Sequence, residues 1–353
     1  MLLRLLLLIA ALLPPSLSAA ADFPEPKTGV YIAKDFKFHT GETLPEVRLA
    51  YTTVGDPAGE PVLMLHGTAS SARTMLGPTF AGELFGAGQP LDAKRYFIIL
   101  PDALGAGASS KPSDGLKAKF PKYNYDDMVD AQYRLVTEGL GIKRLRVVMG
   151  NSMGGMHAWV WATRYPDMMD AVVPMASQPT QMSARNWALR RLLVETIKAD
   201  PDYKDGDYVA QPKFARIASV FYATATNGGD LAYQRIAPTR AAADKLVADR
   251  LGAAFPADAN DFIWQWLSSA DYDPEPLLSR IKARVLAINS ADDERNPVIT
   301  GLTEAAVARI PGSTLLVIPA SPTTGGHGTT GSQAKLYAGM LGAFLASLQL
   351  MPK

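Results

Sequence analysis

Short apolar runs recur along the chain, most of them bounded by Gly, Pro or Asp and followed by a longer amphipathic stretch. Residues 61–66, 96–101, 146–150, 171–175, 284–289 and 314–318 are each rich in Val, Ile and Leu and too brief for a helix. An apolar run without alternation is how a strand covered on both faces reads. Helical periodicity lies between several of these runs, as over 125–140 and 155–165. Alternating strands and helices predict a mostly parallel sheet flanked by helices. Residues 30–53 alternate more loosely and predict antiparallel edge strands.

One interval breaks the rhythm. Residues 177–283 offer no convincing strand, but carry helical patterns at 184–199, 213–224 and 241–253, together with Trp187, Trp264 and Trp266. This interval is expected to be a helical lid, inserted into a core formed by 21–176 and 284–353. A packed helical extension without a gating role is the plainer alternative.

The N-terminus has a different character. Arg4 precedes an unbroken apolar run from Leu5 to Leu13, which Pro14 and Pro15 close; Ser18-Ala19-Ala20-Ala21 follows. That is the layout of a secretory signal peptide over 1–20, so a periplasmic or secreted protein is expected. The run falls far short of the ~20 apolar residues that span a bilayer, so no stable membrane insertion is expected after cleavage. The chain has no Cys, which rules out disulfides, thiolate zinc sites, a Cys nucleophile and lipid attachment at a Cys. Lys plus Arg (35) nearly balance Asp plus Glu (34), so nothing points to nucleic acid. The acids show no metal-ligand spacing, and neither metal nor cofactor is expected. The Gly-rich stretch 105–110 lacks phosphate-loop spacing and reads as a rim loop. Met149, Met153, Met156, Met168, Met169 and Met175 read as core.

The chemistry concentrates around Gly150-Asn151-Ser152-Met153-Gly154. This G-x-S-x-G run follows an apolar strand and opens a helical stretch, the setting of a nucleophile elbow. The tight turn holds the Ser hydroxyl above the sheet, and a Cβ at Gly150 or Gly154 would obstruct it. The helix N-terminus behind it favours developing negative charge. A serine hydroxyl needs a base. The chain has four His, and only His327 lies late enough for the Ser–acid–His order of this fold; it sits in a Gly-rich loop. His66 closes an early strand and is expected to shape the oxyanion loop; His157 is expected to be structural; His39 receives no role. The orienting acid should follow the run at 284–289, where Asp292-Asp293-Glu294 stand together. Asp293, four residues before Pro297, is preferred, and Asp292 stays open. The remaining two acids are expected to be solvated or to cap a helix. Backbone N–H groups of Thr68, in the His66-Gly67 turn, and of Met153 are expected to form an oxyanion hole.

These residues resemble the homoserine O-acetyltransferase family of α/β-hydrolases. The likeness runs through Leu49-Ala50-Tyr51-Thr52-Thr53-Val54-Gly55, through 86–97, through Asp127-Met128-Val129-Asp130-Ala131-Gln132, and through Asn151-Ser152-Met153-Gly154-Gly155-Met156 to Tyr165-Pro166-Asp167. The resemblance implies the α/β-hydrolase fold, with Ser152, Asp293 and His327 as the triad and Thr68 with Met153 at the oxyanion. It also implies a homodimer through the lid. Two departures stand out. The family follows its His with an Asp for the substrate amino group, where this chain has Gly328. It places a carboxylate-binding Arg six residues before the Asp-Pro pair of the lid, where this chain has Val194; Arg190 and Arg191 are out of register. With both anchors missing, water becomes the expected acceptor. The expected activity is therefore hydrolysis of a small-molecule ester or amide. Acyl transfer, or binding without catalysis, are the alternatives.

Overall fold

The computed structural model describes residues 23–255 and 257–348. The expected signal peptide lies outside these residues. Eight strands form one sheet: β1 (Lys27–Lys37), β2 (Thr43–Val54), β3 (Glu60–Leu65), β4 (Tyr96–Pro101), β5 (Leu145–Asn151), β6 (Met169–Met175), β7 (Arg284–Ser290) and β8 (Thr314–Ile318). Their spatial order is β1-β2-β4-β3-β5-β6-β7-β8. β1 pairs antiparallel with β2, and β2 with β4; every later pairing is parallel. The loosely alternating N-terminal segment thus forms the antiparallel end, and the six apolar runs form the parallel body.

Those runs lack alternation because both faces of the sheet are covered. On one face Leu63, Leu65, Ile99, Val148, Val172 and Val285 pack with the helices Tyr125–Arg134 and Met153–Arg164. On the other, Val62, Met64, Ile98, Val147, Met149 and Leu286 pack with Leu84, Phe85 and the C-terminal helix Ala338–Ser347. Successive residues of a strand feed opposite cores, and both cores are apolar. Met149, Met153, Met156, Met169 and Met175 are buried, and Met168 packs partly buried against the same core.

Between β6 and β7 stand the helices Ala184–Lys198, Lys213–Thr226, Asp230–Ile236, Arg240–Gly252 and Ala259–Leu267. The helix expected over 125–140 is not regular to its end: Tyr125–Arg134 passes into a wider π turn, Leu135–Gly139. Two helices lie outside the helical patterns read from the sequence. Ala259–Leu267 has nine residues, few for a clear period, and its polar Asn260, Asp261 and Gln265 are buried with the rest rather than facing solvent. Asp230–Ile236 has seven residues, too few to display one.

Candidate active site

The strand order reverses beside β3, which continues to β4 on one side and touches β5 on the other. In open α/β sheets the crevice beyond the strand ends at such a reversal is where ligands bind. Here it is a cleft of ≈ 310 Å³ whose lining includes Gly67, Thr68, Asn151, Ser152, Asn227, Arg295 and His327.

Ser152 sits between β5 and the helix Met153–Arg164 with φ 56° and ψ −115°. A non-Gly residue with such a backbone is strained and persists only where its surroundings hold it. The surroundings here are three glycines. A Cβ on Gly150 would stand 2.3 Å from the Gly154 carbonyl oxygen. One on Gly154 would stand 2.1 Å from that of Leu65, and one on Gly155 2.3 Å from that of Met175. Helix, β3 and β6 therefore close around the turn at backbone distance. Ser152 N donates to Met175 O (2.9 Å), fixing the turn to β6.

The structure brings Ser152, His327 and Asp293 into one hydrogen-bonded chain. Ser152 Oγ lies 2.8 Å from His327 Nε2. His327 Nδ1 lies 2.9 and 3.0 Å from the two carboxylate oxygens of Asp293. A carboxylate accepts only, so Nδ1 carries the proton and Nε2 is left as the acceptor for the serine hydroxyl. Asp293 also accepts from Arg295 N (2.8 Å), Asn296 N (2.9 Å) and Asn296 Nδ2 (3.1 Å). Burial pushes its carboxyl upward, but His327 and these donors outweigh that and hold it at about 2. His327 is displaced below its ordinary range, first by burial, against the pull of Asp293 and with the help of Arg295. The buried imidazole is therefore a neutral acceptor near neutrality.

The neighbouring acids correct an expectation: neither is simply solvated, nor does either cap a helix. Asp292 accepts from Thr324 Oγ1 (2.6 Å) and Gly326 N (3.3 Å), and pairs with the Ser290 hydroxyl. Glu294 accepts from His327 N (2.9 Å) and from Gly229 N (2.7 Å). All three consecutive acids thus hold the His327 loop, and only Asp293 reaches the imidazole. The sequence signal was their adjacency, which carries no direction until the loop is folded.

Across the cleft, Gly67 comes close enough that a Cβ on it would lie 3.5 Å from Ser152 Cβ. Ala69 N is engaged by Gln265 Oε1 (2.8 Å), whose amide also donates to Gly105 O (2.7 Å). Among the described residues Thr68 N has no such partner, and the Thr68 hydroxyl is buried without one. Met153 opens its helix, where backbone N–H groups have no intrahelical acceptor. Gln265 was invisible in the sequence; it lies 196 residues from the turn it braces.

The other histidines are accounted for. His66 is buried; Ala103 N donates to its Nε2 (2.9 Å), and its Nδ1 donates to Gly67 O (2.8 Å), pinning the turn before Thr68. His157 is buried against the edge of Tyr125 and bonded to Gln132 (3.1 Å), and burial takes it down to about 3, so it stays neutral. His39 lies 2.6 Å from Asp127, which completes a capping box with the N-cap Asn124 at the start of the helix Tyr125–Arg134. Val194 is buried in the core rather than at the cleft. Among the described residues no cluster of three or more His, Asp or Glu is placed to hold a metal ion, and no helix is long and apolar enough to cross a membrane.

A sheet of this order, with a strained serine above one strand and an imidazole brought to it from the loop after the last, defines a hydrolase-type α/β scaffold. The chain belongs to the alpha/beta hydrolase fold family, whose model matches residues 60–322. Homoserine O-acetyltransferase from Thermobifida fusca (strain YX) is 34% identical over 209 residues, 54% of this chain and 54% of that protein. The chain thus spans about half the length of that relative. A protein named "Probable acyltransferase" from Methanothermobacter thermautotrophicus is 28% identical over 275 residues, 75% of this chain and 82% of its own. Among solved structures, an acetylester hydrolase from Corynebacterium glutamicum superposes with a TM-score of 0.77 at 23% identity, covering 91% of this chain and 96% of that one. At that identity the superposition speaks for the fold alone.

Proposed function

We propose that the chain is a serine hydrolase that cleaves a small-molecule ester or amide through an acyl-enzyme. The observation carrying this reading is the chain from Ser152 Oγ to His327 Nε2 and from His327 Nδ1 to Asp293, assembled on a strained turn. Ser152 Oγ attacks the carbonyl carbon while its proton passes to His327 Nε2. Asp293 keeps the accepting tautomer and stabilises the imidazolium. The N–H groups of Thr68 and Met153 receive the oxyanion. The imidazolium returns its proton to the leaving alcohol or amine, and water repeats the sequence to release the acid.

Acyl transfer to a second substrate is the competing reading, favoured by the relatives named as acyltransferases. Against it stands Gly328 beside His327, where a carboxylate for an amino group would be needed. A non-catalytic binding role has no comparable support. The helices between β6 and β7 are proposed to act as a lid. Phe214, Ile217 and Phe221 are exposed at helical spacing on one of them, which supports pairing of two copies through it. Export is proposed from the leader pattern alone.

The test is turnover of 4-nitrophenyl acetate with and without excess homoserine or simple alcohols, with Ser152→Ala as control. Release that needs Ser152 and ignores the acceptor supports hydrolysis. Release that accelerates with the acceptor and yields its acyl derivative supports transfer. Failure of a fluorophosphonate to label Ser152 in folded protein would sink both.

A further inference from the structure

Two guanidiniums stand near Ser152 and His327 without a direct ion pair among the described residues, although Asp293 and Glu294 lie close enough to act on Arg295 electrostatically. Arg190 is buried and donates to Ser269 Oγ (2.8 Å) and Asn186 Oδ1 (3.0 Å). Its guanidinium carbon lies 4.9 Å from the centre of the Trp266 ring. Arg295 faces the same ring at 5.5 Å and Tyr222 at 4.8 Å, with Nε donating to Thr226 Oγ1 (3.1 Å). Neither arginine forms an ion pair among the described residues. The carboxylates nearest Arg295 in sequence are engaged elsewhere: Asp293 on His327 and Asn296, Glu294 on the backbone of His327 and Gly229.

A guanidinium withdrawn from water without a directly bonded counter-ion is costly, and proteins ordinarily pair it. Stacking on Tyr222 and Trp266 offsets part of that cost. It also orients the Arg295 fork and leaves both terminal nitrogens without an acceptor among the described residues. Arg295 lines the cleft that holds Ser152 and His327. Beside it in that lining is Asn227, whose side-chain oxygen is buried without a partner. The lining contains one permanently charged side chain, Arg295, and no Lys. A phosphate or a pyrophosphate would need more positive charge than this; a single carboxylate matches one guanidinium fork.

Resting on the hydrolase reading, we propose that the substrate carries a carboxylate and that Arg295 is the specificity residue that receives it. Arg190, against the same Trp266 ring but outside the cleft lining, supplies a second positive charge to the region without touching the ligand. Binding of the carboxylate supplies the directly bonded counter-charge that no described residue provides, and its two oxygens accept from the two terminal nitrogens of Arg295. The ester is then held in one orientation over Ser152.

The experiment compares kcat/KM within matched pairs: mono-4-nitrophenyl succinate against 4-nitrophenyl butyrate, and 2-acetoxypropanoate against 2-acetoxypropanamide. The two pairs distinguish a carboxylate on the acyl side from one on the alcohol side. The expected result is a preference of about ten- to a hundredfold for the anion in one pair, the scale of a hydrogen-bonded charge. Arg295→Met should bring that ratio near unity and Arg295→Lys should keep part of it. No preference in the wild type, or the same preference in Arg295→Met, overturns the proposal. Should Arg295→Met not fold, wild-type inhibition by succinate against succinamide decides instead, and equal inhibition overturns it. Calorimetric binding of succinate to Ser152→Ala tests the anion site without turnover. Labelling of Ser152 by a fluorophosphonate without any preference for anions would remove Arg295's role and leave the hydrolase reading standing. Succinate binding without such labelling would do the reverse.

Discussion

Replacing Asp293 by Asn removes one charge and almost no volume, and its effect can be worked out from the site. His327 Nδ1 lies 2.9 and 3.0 Å from the two oxygens of Asp293. When the imidazole takes the serine proton, a full charge forms opposite the carboxylate. With charge centres roughly 4 Å apart and an effective dielectric of ~20, that attraction is about 4 kcal/mol, or about a thousandfold in rate. An Asn introduces a second loss. Its amide can donate to Nδ1, which moves the imidazole proton to Nε2, where it blocks acceptance from Ser152. The combined effect should approach the ~10⁴-fold loss known for the Asp-to-Asn change in serine triads. The assay is kcat on a 4-nitrophenyl ester together with the rate of fluorophosphonate labelling, with thermal melting to show that the variant is folded. Asp292→Asn is the control; its carboxylate holds Thr324 and Gly326 rather than the ring, so its kcat should fall less than tenfold. A folded Asp293→Asn retaining more than a tenth of the activity, or an Asp292→Asn that loses as much, would refute the reasoning.

Three further outcomes follow from the same geometry. Because burial and Arg295 hold His327 below its ordinary 6.5, kcat/KM should decline toward acid with a midpoint below 6.5; a midpoint above 7 in a pH–rate profile would contradict this. Asp293 is held at about 2 against an ordinary 3.8, so its contribution to stability is present above pH 4 and lost as pH falls toward 2; melting temperatures over that range should drop in the wild type and drop less in Asp293→Asn. Gly154→Ala sets a Cβ 2.1 Å from the Leu65 carbonyl oxygen and 2.4 Å from its carbon, which only backbone movement relieves; denaturant titration should show a loss of about 3 kcal/mol, and a loss under 1 kcal/mol would mean that the helix and β3 are not locked together.

How much of this was legible beforehand depends on whether a residue acts through its neighbours in sequence or through contacts made only by folding. The parallel strands were readable because burial on both faces removes alternation, a local signature. Ser152 was readable because its turn needs Gly150 and Gly154, each two residues away, between a strand and a helix. His327 was readable because few imidazoles compete with it. Ala259–Leu267 was not, because its nine residues are few for a clear period and its polar Asn260, Asp261 and Gln265 pack inside the protein. Arg295 escaped for a related reason. In sequence it is one more charge in an acidic loop, and an Asp–Glu–Arg run reads as mutually compensated. Folding separates these charges, sending Asp293 to His327 and Glu294 to backbone amides, while Arg295 turns to Tyr222 and Trp266.

The same separation makes Glu294 a positioning residue. Its two oxygens accept from His327 N and Gly229 N, so one carboxylate joins the His327 loop to the turn before the helix Asp230–Ile236. Glu294→Gln keeps an acceptor for one of these amides but loses the charge and the symmetry. Each hydrogen bond to a charged group contributes about 1.5–3 kcal/mol, and the loss divides between loop order and stability. The expected result is a kcat lower by about tenfold with the acid midpoint of the pH profile little changed, since the ring keeps Asp293. Amide exchange should rise at both Gly229 and His327 rather than at one. Exchange that rises at His327 alone would mean that the turn at Gly229 is held by its own bond from Gly228 N to Gly325 O (3.1 Å), and that Glu294 serves the catalytic loop without coupling it to the helices above.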